Sequence, residues 1–297
     1  MRRWLFGLAA LLFPLALLAQ EAPPPAASMS AAASAARDDY LAGRYTAALA
    51  QALPLAEVGD AAAQNLMGAA YDDALGVSHD PLESRRWYEL AAAQGYGPAL
   101  QNLGQMLRDG RAGIEADPVR ARALFEQSVA SGWVPAHEAL AWMLLNGVGG
   151  PHDLPGALAQ YEAGRAAGNA HASHGLATLY RQGNGVAIDL ESARALDREA
   201  AEGGLSVAMN SYGVMLELGE GGPIDRVGAE YWYRRALDLG EGLGGLNLAY
   251  MLSNEAAPPE TLAQGWALCR QSLPLVPDET AREWKEFCNW VALYAVR

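Results

Sequence analysis

The sequence predicts an all-α protein built as an α-solenoid, a single file of about six helix hairpins of 36 residues each. The prediction rests on four rows of residues that recur 36 or 37 positions apart. They are a small residue (Gly68, Gly104, Ala141, Ala177, Gly213, Ala249), an apolar or aromatic residue (Tyr71, Leu107, Leu144, Tyr180, Leu216, Leu252), an aspartate (Asp80, Asp117, Asp153, Asp189, Asp225) and a glycine (Gly95, Gly132, Gly168, Gly204, Gly240). Because one hairpin cannot bury both of its apolar faces, the shared period indicates stacking around a continuous core.

The first segment of the chain has the layout of a secretory signal peptide. Residues 1–19 carry Arg2 and Arg3 before an apolar run that is short for a membrane span. Residues 20–34 are rich in Pro, Ala and Ser and are predicted to be a linker. We therefore expect a periplasmic or secreted protein with no integral membrane domain once the leader is removed. The alternative is an uncleaved leader that anchors the chain in the inner membrane.

Residues 35–60 lack the aspartate but carry turn residues around Gly43, so they are predicted to be an N-terminal cap hairpin. Residues 61–277 are predicted to form the repeats. In the first repeat, the helix 61–73 places Leu66 and Ala70 on one face. The aspartate row supplies N-caps for each second helix, and Asp80 with Glu83 predicts a capping box. Each second helix carries bulky residues expected to pack between hairpins, namely Trp87, Tyr88, Phe125, Tyr161, Trp232 and Tyr233.

Residues 278–297 are predicted to be a C-terminal capping helix, with Trp284, Phe287 and Trp290 on its apolar face. Cys269 and Cys288 are expected to form a disulfide if the chain is exported. Such a bond closes a loop of about 20 residues and contributes roughly 3 kcal/mol in the loop-entropy model. The alternative is two buried thiols in helix interiors.

Two segments carry a family resemblance. Residues 66–95 (LMGAAYDDALGVSHDPLESRRWYELAAAQG) and 176–204 (LATLYRQGNGVAIDLESARALDREAAEGG) resemble the Sel-one-like repeat family, relatives of the tetratricopeptide repeats. The resemblance covers roughly residues 35–275, with Ala74 in place of a turn glycine and neither glycine nor aspartate in the sixth repeat. It implies a right-handed superhelix of hairpins and an adaptor role in assembling complexes.

Charge and motif content exclude several kinds of chemistry. The chain has 21 Lys+Arg against 34 Asp+Glu, a net charge of −13 that argues against nucleic-acid partners. His171 and His174 provide two corners of a metal site on one helix face, with two solvent-facing imidazoles as the alternative; no third ligand is evident, so no metal is predicted. Some members of the family have been linked to β-lactams, yet the Ser-x-x-Lys motif is absent, because Arg282 stands three residues before Lys285, the chain's one lysine. We predict no enzyme and no cofactor; the alternative is an enzyme or ligand binder acting on β-lactams or cell-wall peptides.

The predicted binding surface is a stripe on the first helices, which line the concave face in solenoids of this kind. Positions i, i+4 and i+7, away from the small-residue row, face outward. The candidate residues are Gln101, Gln105, Arg108, Glu138, Trp142, His174, Arg181, Asn210 and Tyr250. Trp142 and Tyr250 are typical aromatic anchors, with packing against the next hairpin as the alternative. The amides at 65, 101, 102 and 210 are candidates for hydrogen bonds to an extended peptide, or else ordinary solvated side chains. We expect a scaffold of the cell envelope that binds a protein or peptide in this groove.

Overall fold

The computed structural model describes residues 30–111, 113–253 and 257–295. These residues form fifteen α-helices: α1 (Ala31–Leu41), α2 (Tyr45–Glu57), α3 (Ala61–Asp73), α4 (Pro81–Ala92), α5 (Gly97–Asp109), α6 (Pro118–Ala130), α7 (Ala136–Asn146), α8 (Leu154–Ala166), α9 (Ala170–Gln182), α10 (Leu190–Glu202), α11 (Ser206–Leu218), α12 (Arg226–Asp238), α13 (Gly242–Leu252), α14 (Pro259–Ser272) and α15 (Asp278–Ala295). A short 3-10 helix, Leu273–Leu275, follows α14. The predicted leader at 1–19 and residues 20–29 of the predicted linker lie outside the described residues.

The helices pair in chain order into hairpins that stack in single file. In each hairpin we call the first helix (α1, α3, α5, α7, α9, α11, α13) the A helix and the second (α2, α4, α6, α8, α10, α12, α14) the B helix. Every helix packs against the next one along the chain, and α15 packs against α14. Consecutive A helices also touch directly at α1–α3, α7–α9 and α11–α13, which no two consecutive B helices of the described chain do to the same extent. The predicted α-solenoid is confirmed.

The aspartate row caps the B helices α4, α6, α8, α10 and α12 as predicted, whereas α2 and α14 have no aspartate cap. Asp117, for example, accepts a hydrogen bond from the backbone N–H of Arg120 at 3.0 Å. The capping box predicted at Asp80 and Glu83 is wrong, because the backbone N–H of Asp80 donates to the carbonyl of Tyr71. The carboxylate of Glu83 is therefore free to pair with Arg86, at 2.7 Å.

The end of the first A helix shows how the missing turn glycine is replaced. The glycines after α7, α9 and α11 adopt the left-handed conformation, whereas after α3 this conformation falls on Ala74, with φ of 58°. In the left-handed conformation the Cβ of an alanine crowds the backbone, which a glycine avoids. The geometry of the turn is thus imposed by the stacking of the hairpins.

The small-residue row lets the aromatic rings of the B helices approach the A helices. A Cβ atom at Gly213 would lie 2.6 Å from the ring of Tyr233, and one at Gly68 equally close to the ring of Tyr88. Both rings are buried, with 0% and 3% of their surface exposed. The close approach of helix and ring is the repeated unit of the core.

The two ends of the array differ from the repeats between them. At the first end, α1 starts at Ala31, inside the segment predicted to be a linker, because the hydroxyl of Ser30 accepts from the N–H of Ala33. At the other end, a disulfide joins buried Cys269 on α14 to buried Cys288 on α15, with their Cα atoms 5.8 Å apart. Within the described residues, no helix has the length and apolar character needed to cross a membrane.

Candidate binding surface

The predicted stripe residues lie on five A helices, and we call this surface the A-face. It comprises Gln101, Gln105 and Arg108 on α5, Glu138 and Trp142 on α7, His174 and Arg181 on α9, Asn210 on α11 and Tyr250 on α13. Trp142 and Tyr250 are exposed, and the other seven are partly buried. The structure gives these side chains three different kinds of surroundings.

Trp142 is a half-exposed aromatic platform near the middle of the array. Its side chain is 40% exposed. The guanidinium of Arg108, one repeat earlier, lies 5.4 Å from the centre of the ring, a cation–π distance. The hydrogen bond to Asp109 raises the pKa of Arg108, and the nearby carboxylate of Glu138 acts in the same direction. The guanidinium is therefore held in place on one side of the indole.

Tyr250 lies at the other end of the A-face and is 61% exposed. Its ring contacts Phe287 and Trp284 on α15, with ring centres 5.5 and 6.4 Å apart. The aromatic surface thus continues from α13 onto the C-terminal helix. Trp142 and Tyr250 each pack against a neighbouring side chain and are also exposed to solvent. Packing within the chain, which was the alternative to binding, is therefore observed, and a surface for a partner remains on both rings.

Several amide side chains on the A helices form hydrogen bonds within the chain, and their binding to a peptide stays a prediction. Asn102 donates to Asn65 at 3.0 Å, and Asn247 donates to Asn210 at 2.8 Å. The amide of Gln101 accepts from the indole N–H of Trp133 at 2.6 Å. The two Asn–Asn bonds join the A helices of consecutive hairpins and so fix their spacing, whereas Gln101 binds a residue just after α6 of its own hairpin.

His174 lies in surroundings that the sequence pattern did not lead us to expect. Its Nδ1 is 2.7 Å from the carboxylate of Asp197 on α10, a residue only 1% exposed. The interpretation of His171 and His174 as two solvent-facing imidazoles is therefore wrong for His174. A signal was present in the sequence: Asp197 follows Ala177 at the spacing by which Tyr233 follows Gly213, so it stands in the aromatic row. In the part of the chain that the structure describes, no three His, Cys, Asp or Glu side chains are grouped to hold a metal.

The charged residues along the stripe differ in whether the chain pairs them. Asp72 forms an ion pair with Arg111, although burial raises the pKa of this carboxyl. Glu217 accepts from the hydroxyl of Tyr233 at 2.9 Å, and burial together with this bond raises the pKa of the phenol. Arg181, by contrast, makes no ion pair or hydrogen bond with the described residues. Asp72 and Glu217 lie outside the nine residues of the A-face. Among those nine, Glu138 forms no ion pair with the described residues and Arg181 is the one unpaired cation.

Stacked hairpins with a variable, partly exposed face on the A helices define a helical-repeat protein. The chain belongs to the Sel1 repeat family: the Sel1 repeat model matches residues 61–96, 97–133, 134–162, 170–205 and 206–241, more than half of the chain. We number these five matched segments repeats 1 to 5, in chain order. Sel1 repeat proteins are generally protein–protein interaction scaffolds, and the fold implies protein partners. No curated protein matches the chain.

Two solved structures support this assignment. One is a Sel1 repeat protein from Oxalobacter formigenes, 25% identical, with a TM-score of 0.65 over 87% of this chain and 97% of that one. The other is c5321, described as a protective antigen of uropathogenic Escherichia coli strains with an SLR fold. It is 27% identical, with a TM-score of 0.59 over 84% of this chain and 55% of that one.

Proposed function

We propose that the protein is a non-enzymatic scaffold of the cell envelope that holds a protein or peptide partner against the A-face, in a concave groove. The observation that carries the proposal is the half-exposed Trp142 with Arg108 fixed beside its ring. Aromatic and arginine side chains that are held rigidly lose little entropy on binding, and they dominate the energy of many interfaces.

The packing of the helices supports a groove on this side of the array. Direct contacts between consecutive A helices occur at three places in the described chain, and B helices approach one another less closely. In a curved stack, the elements on the inner side of the curve come closest together. The amide pairs Asn65–Asn102 and Asn210–Asn247 hold the A helices in that arrangement.

The proposed compartment rests on two features. The first is the leader-like segment at residues 1–19, and the second is the bond between Cys269 and Cys288. Disulfides form and persist in oxidising compartments such as the bacterial periplasm. Periplasmic or secreted location is the proposal, and an uncleaved leader that anchors the chain in the inner membrane is its alternative.

Site-specific crosslinking in the native cell tests the proposed surface. A photo-crosslinking amino acid at Gln105, on the A-face next to Arg108, is expected to capture a partner. The same group at Arg198, an exposed residue of the B helix α10, is expected not to. Sequencing the N-terminus of the recovered protein shows whether the leader has been removed.

A matched pair of double variants identifies the surface that binds. W142A/R108A removes the arginine–aromatic pair on α7 and α5 and is expected to abolish the crosslink. Y231A/R235A removes a similar pair, 5.7 Å apart, from the B helix α12 and is expected to leave the crosslink unchanged. Equal crosslinking in both variants would reject the A-face as the binding surface.

A further inference from the structure

Repeat 4 has a buried carboxyl group at a position where repeats 1, 2, 3 and 5 have a buried aromatic ring. In each repeat, one position of the A helix precedes the aromatic position of the following B helix by 23 or 24 residues. The pairs are Asn65 with Tyr88, Gln101 with Phe125, Glu138 with Tyr161, His174 with Asp197, and Asn210 with Tyr233. Four repeats thus place a buried ring beneath the A-face, whereas repeat 4 places a buried carboxyl group there.

The carboxyl group of Asp197 fixes the orientation of the imidazole. A carboxylate only accepts hydrogen bonds, so the Nδ1 of His174 carries the proton and donates at 2.7 Å. The side chain of Asp197 is 2% exposed, and that of His174 is 21% exposed. The other ring nitrogen, Nε2, has no partner in the described chain and is not a buried atom. The pairing therefore leaves Nε2 of His174 available at the A-face, where it is an acceptor in the neutral ring and a donor in the charged one.

A second unpaired group lies on the same helix. Arg181 is seven residues after His174, which is two turns or about 10.5 Å along α9. Thr178 lies between them, and its hydroxyl is already donated to the carbonyl of His174 at 3.0 Å. At the position equivalent to Thr178, the neighbouring helix α7 carries Trp142, and α7 and α9 touch directly. Nε2 of His174, the guanidinium of Arg181 and the indole of Trp142 thus belong to the two adjacent helices α9 and α7.

We propose that α9 determines which partner the A-face accepts, and that the partner is an extended acidic peptide segment. A carboxylate of the peptide pairs with Arg181, a backbone N–H of the peptide donates to Nε2 of His174, and an apolar side chain lies on Trp142. Asp197 is the positioning residue that holds the imidazole for this contact. The inference rests on the proposed function, whose surface it uses.

Charge complementarity supports an acidic partner. Asp72 is neutralised by its ion pair with Arg111, whereas Glu138 and Glu217 form no ion pair with the described residues, so the carboxylate is recognised at Arg181 itself and not by the A-face as a whole. A guanidinium recognises a carboxylate through two parallel hydrogen bonds, which gives geometric specificity. A nucleic acid would need a row of such cations, whereas Arg181 is the one unpaired cation among the nine A-face residues.

Selection from a library of random nine-residue peptides, displayed on phage and applied to the full chain, tests the inference. The expected consensus places Asp or Glu within a few positions of a large apolar residue. A fluorescein-labelled peptide of that consensus is then titrated against variants by fluorescence anisotropy. R181Q is expected to bind at least roughly tenfold more weakly, because the charge and the paired hydrogen bonds of the guanidinium are lost. R198Q, on the exposed surface of α10, is the matched control and is expected to bind as the wild type does.

The positioning role of Asp197 is tested by two further variants. D197N keeps an oxygen that accepts from Nδ1, so its affinity is expected to stay close to that of the wild type. H174N/D197Y gives repeat 4 the pair that repeat 5 already has in Asn210 and Tyr233. Because Ala177 stands where repeat 5 has Gly213, some loss of thermal stability is expected. The variant should keep its helical circular-dichroism spectrum and yet bind the peptide several-fold more weakly.

Two results would overturn the inference. One is a basic or neutral consensus, and the other is an acidic peptide that R181Q and H174N/D197Y bind as tightly as the wild type does. A selection that enriches no peptide at all also counts against it. The proposed function is judged separately, by whether the crosslink at Gln105 is lost in W142A/R108A.

Discussion

Repeats 4 and 5 have the same external form and different interiors. Their B helices α10 and α12 each span thirteen residues and are capped by Asp189 and Asp225. The glycines that end their A helices, Gly183 and Gly219, have nearly the same φ, 68° and 75°. Inside, however, repeat 5 buries the ring of Tyr233 and repeat 4 buries the carboxyl group of Asp197. The ends of the helices therefore do not depend on what fills the space between them.

Both repeats nevertheless tie their two helices together with side-chain polar bonds, one in repeat 5 and two in repeat 4, where Ser173 also donates to Glu199. In repeat 5 the hydroxyl of Tyr233 donates to Glu217 at 2.9 Å, near the outer end of the A helix. In repeat 4 His174 donates to Asp197, which brings the bond into the interior. Repeat 4 has a carboxyl group where repeat 5 has a ring, and its contact with His174 lies in the core rather than at the partly buried edge. One nitrogen of the His174 ring, Nε2, remains available at the A-face.

The largest effect is expected where the ring itself is removed. Y233A leaves a cavity under Gly213, and truncation of a fully buried aromatic side chain costs about 3–5 kcal/mol. Urea unfolding followed by circular dichroism measures the loss of stability. Y231A removes a ring on the same helix that is 52% exposed, so it is expected to cost under about 1 kcal/mol. Similar losses in both variants would show that the buried ring is not what holds repeat 5 together.

The sequence predicted the features that depend on neighbours along the chain. The period, the aspartate caps and the helix that spans Ala61–Asp73 follow from local patterns, and the structure has them. The pairs Asn65–Asn102 and Asn210–Asn247 were not predicted, because they depend on how closely two hairpins approach. That distance depends on the packing of two helices whose paired residues are 37 positions apart in the sequence. A local sequence pattern contains no information about it.

His174 illustrates a different failure. Its partner is 23 residues away, within one repeat, and alignment of Asp197 with the aromatic row was enough to show that a buried position had become polar. A buried carboxyl group requires a hydrogen-bond partner. That requirement, applied to the A helix of the same repeat, selects His174 from the sequence alone.

In the last hairpin, α13 and α14, the position of Tyr233 and Asp197 is occupied by a cysteine. Cys269 follows Ala249 at the spacing by which Tyr233 follows Gly213, and it is bonded to Cys288. C269A/C288A is expected to lose about 3 kcal/mol, because a loop of roughly 20 residues is no longer closed in the unfolded state. Thermal unfolding with and without reductant checks this: the wild type should lose stability in reductant, and the variant should not respond. A wild type that is insensitive to reductant would contradict a stabilising bond.

The smallest of the three effects concerns the polar pair itself. H174A leaves the carboxyl group of Asp197 buried without its partner, which is expected to cost about 1–3 kcal/mol. N210A, at the equivalent position of repeat 5, removes a part-buried bond to Asn247, whose amide can then bind water, so its cost should stay under about 1 kcal/mol. Urea unfolding of the two variants side by side measures the difference. Both changes truncate a side chain at the equivalent A-face position. A larger decrease in the free energy of unfolding for H174A is therefore attributable to the carboxyl group that is left buried without its partner. Equal losses would mean that Asp197 finds another partner and that the interior of repeat 4 does not depend on the imidazole.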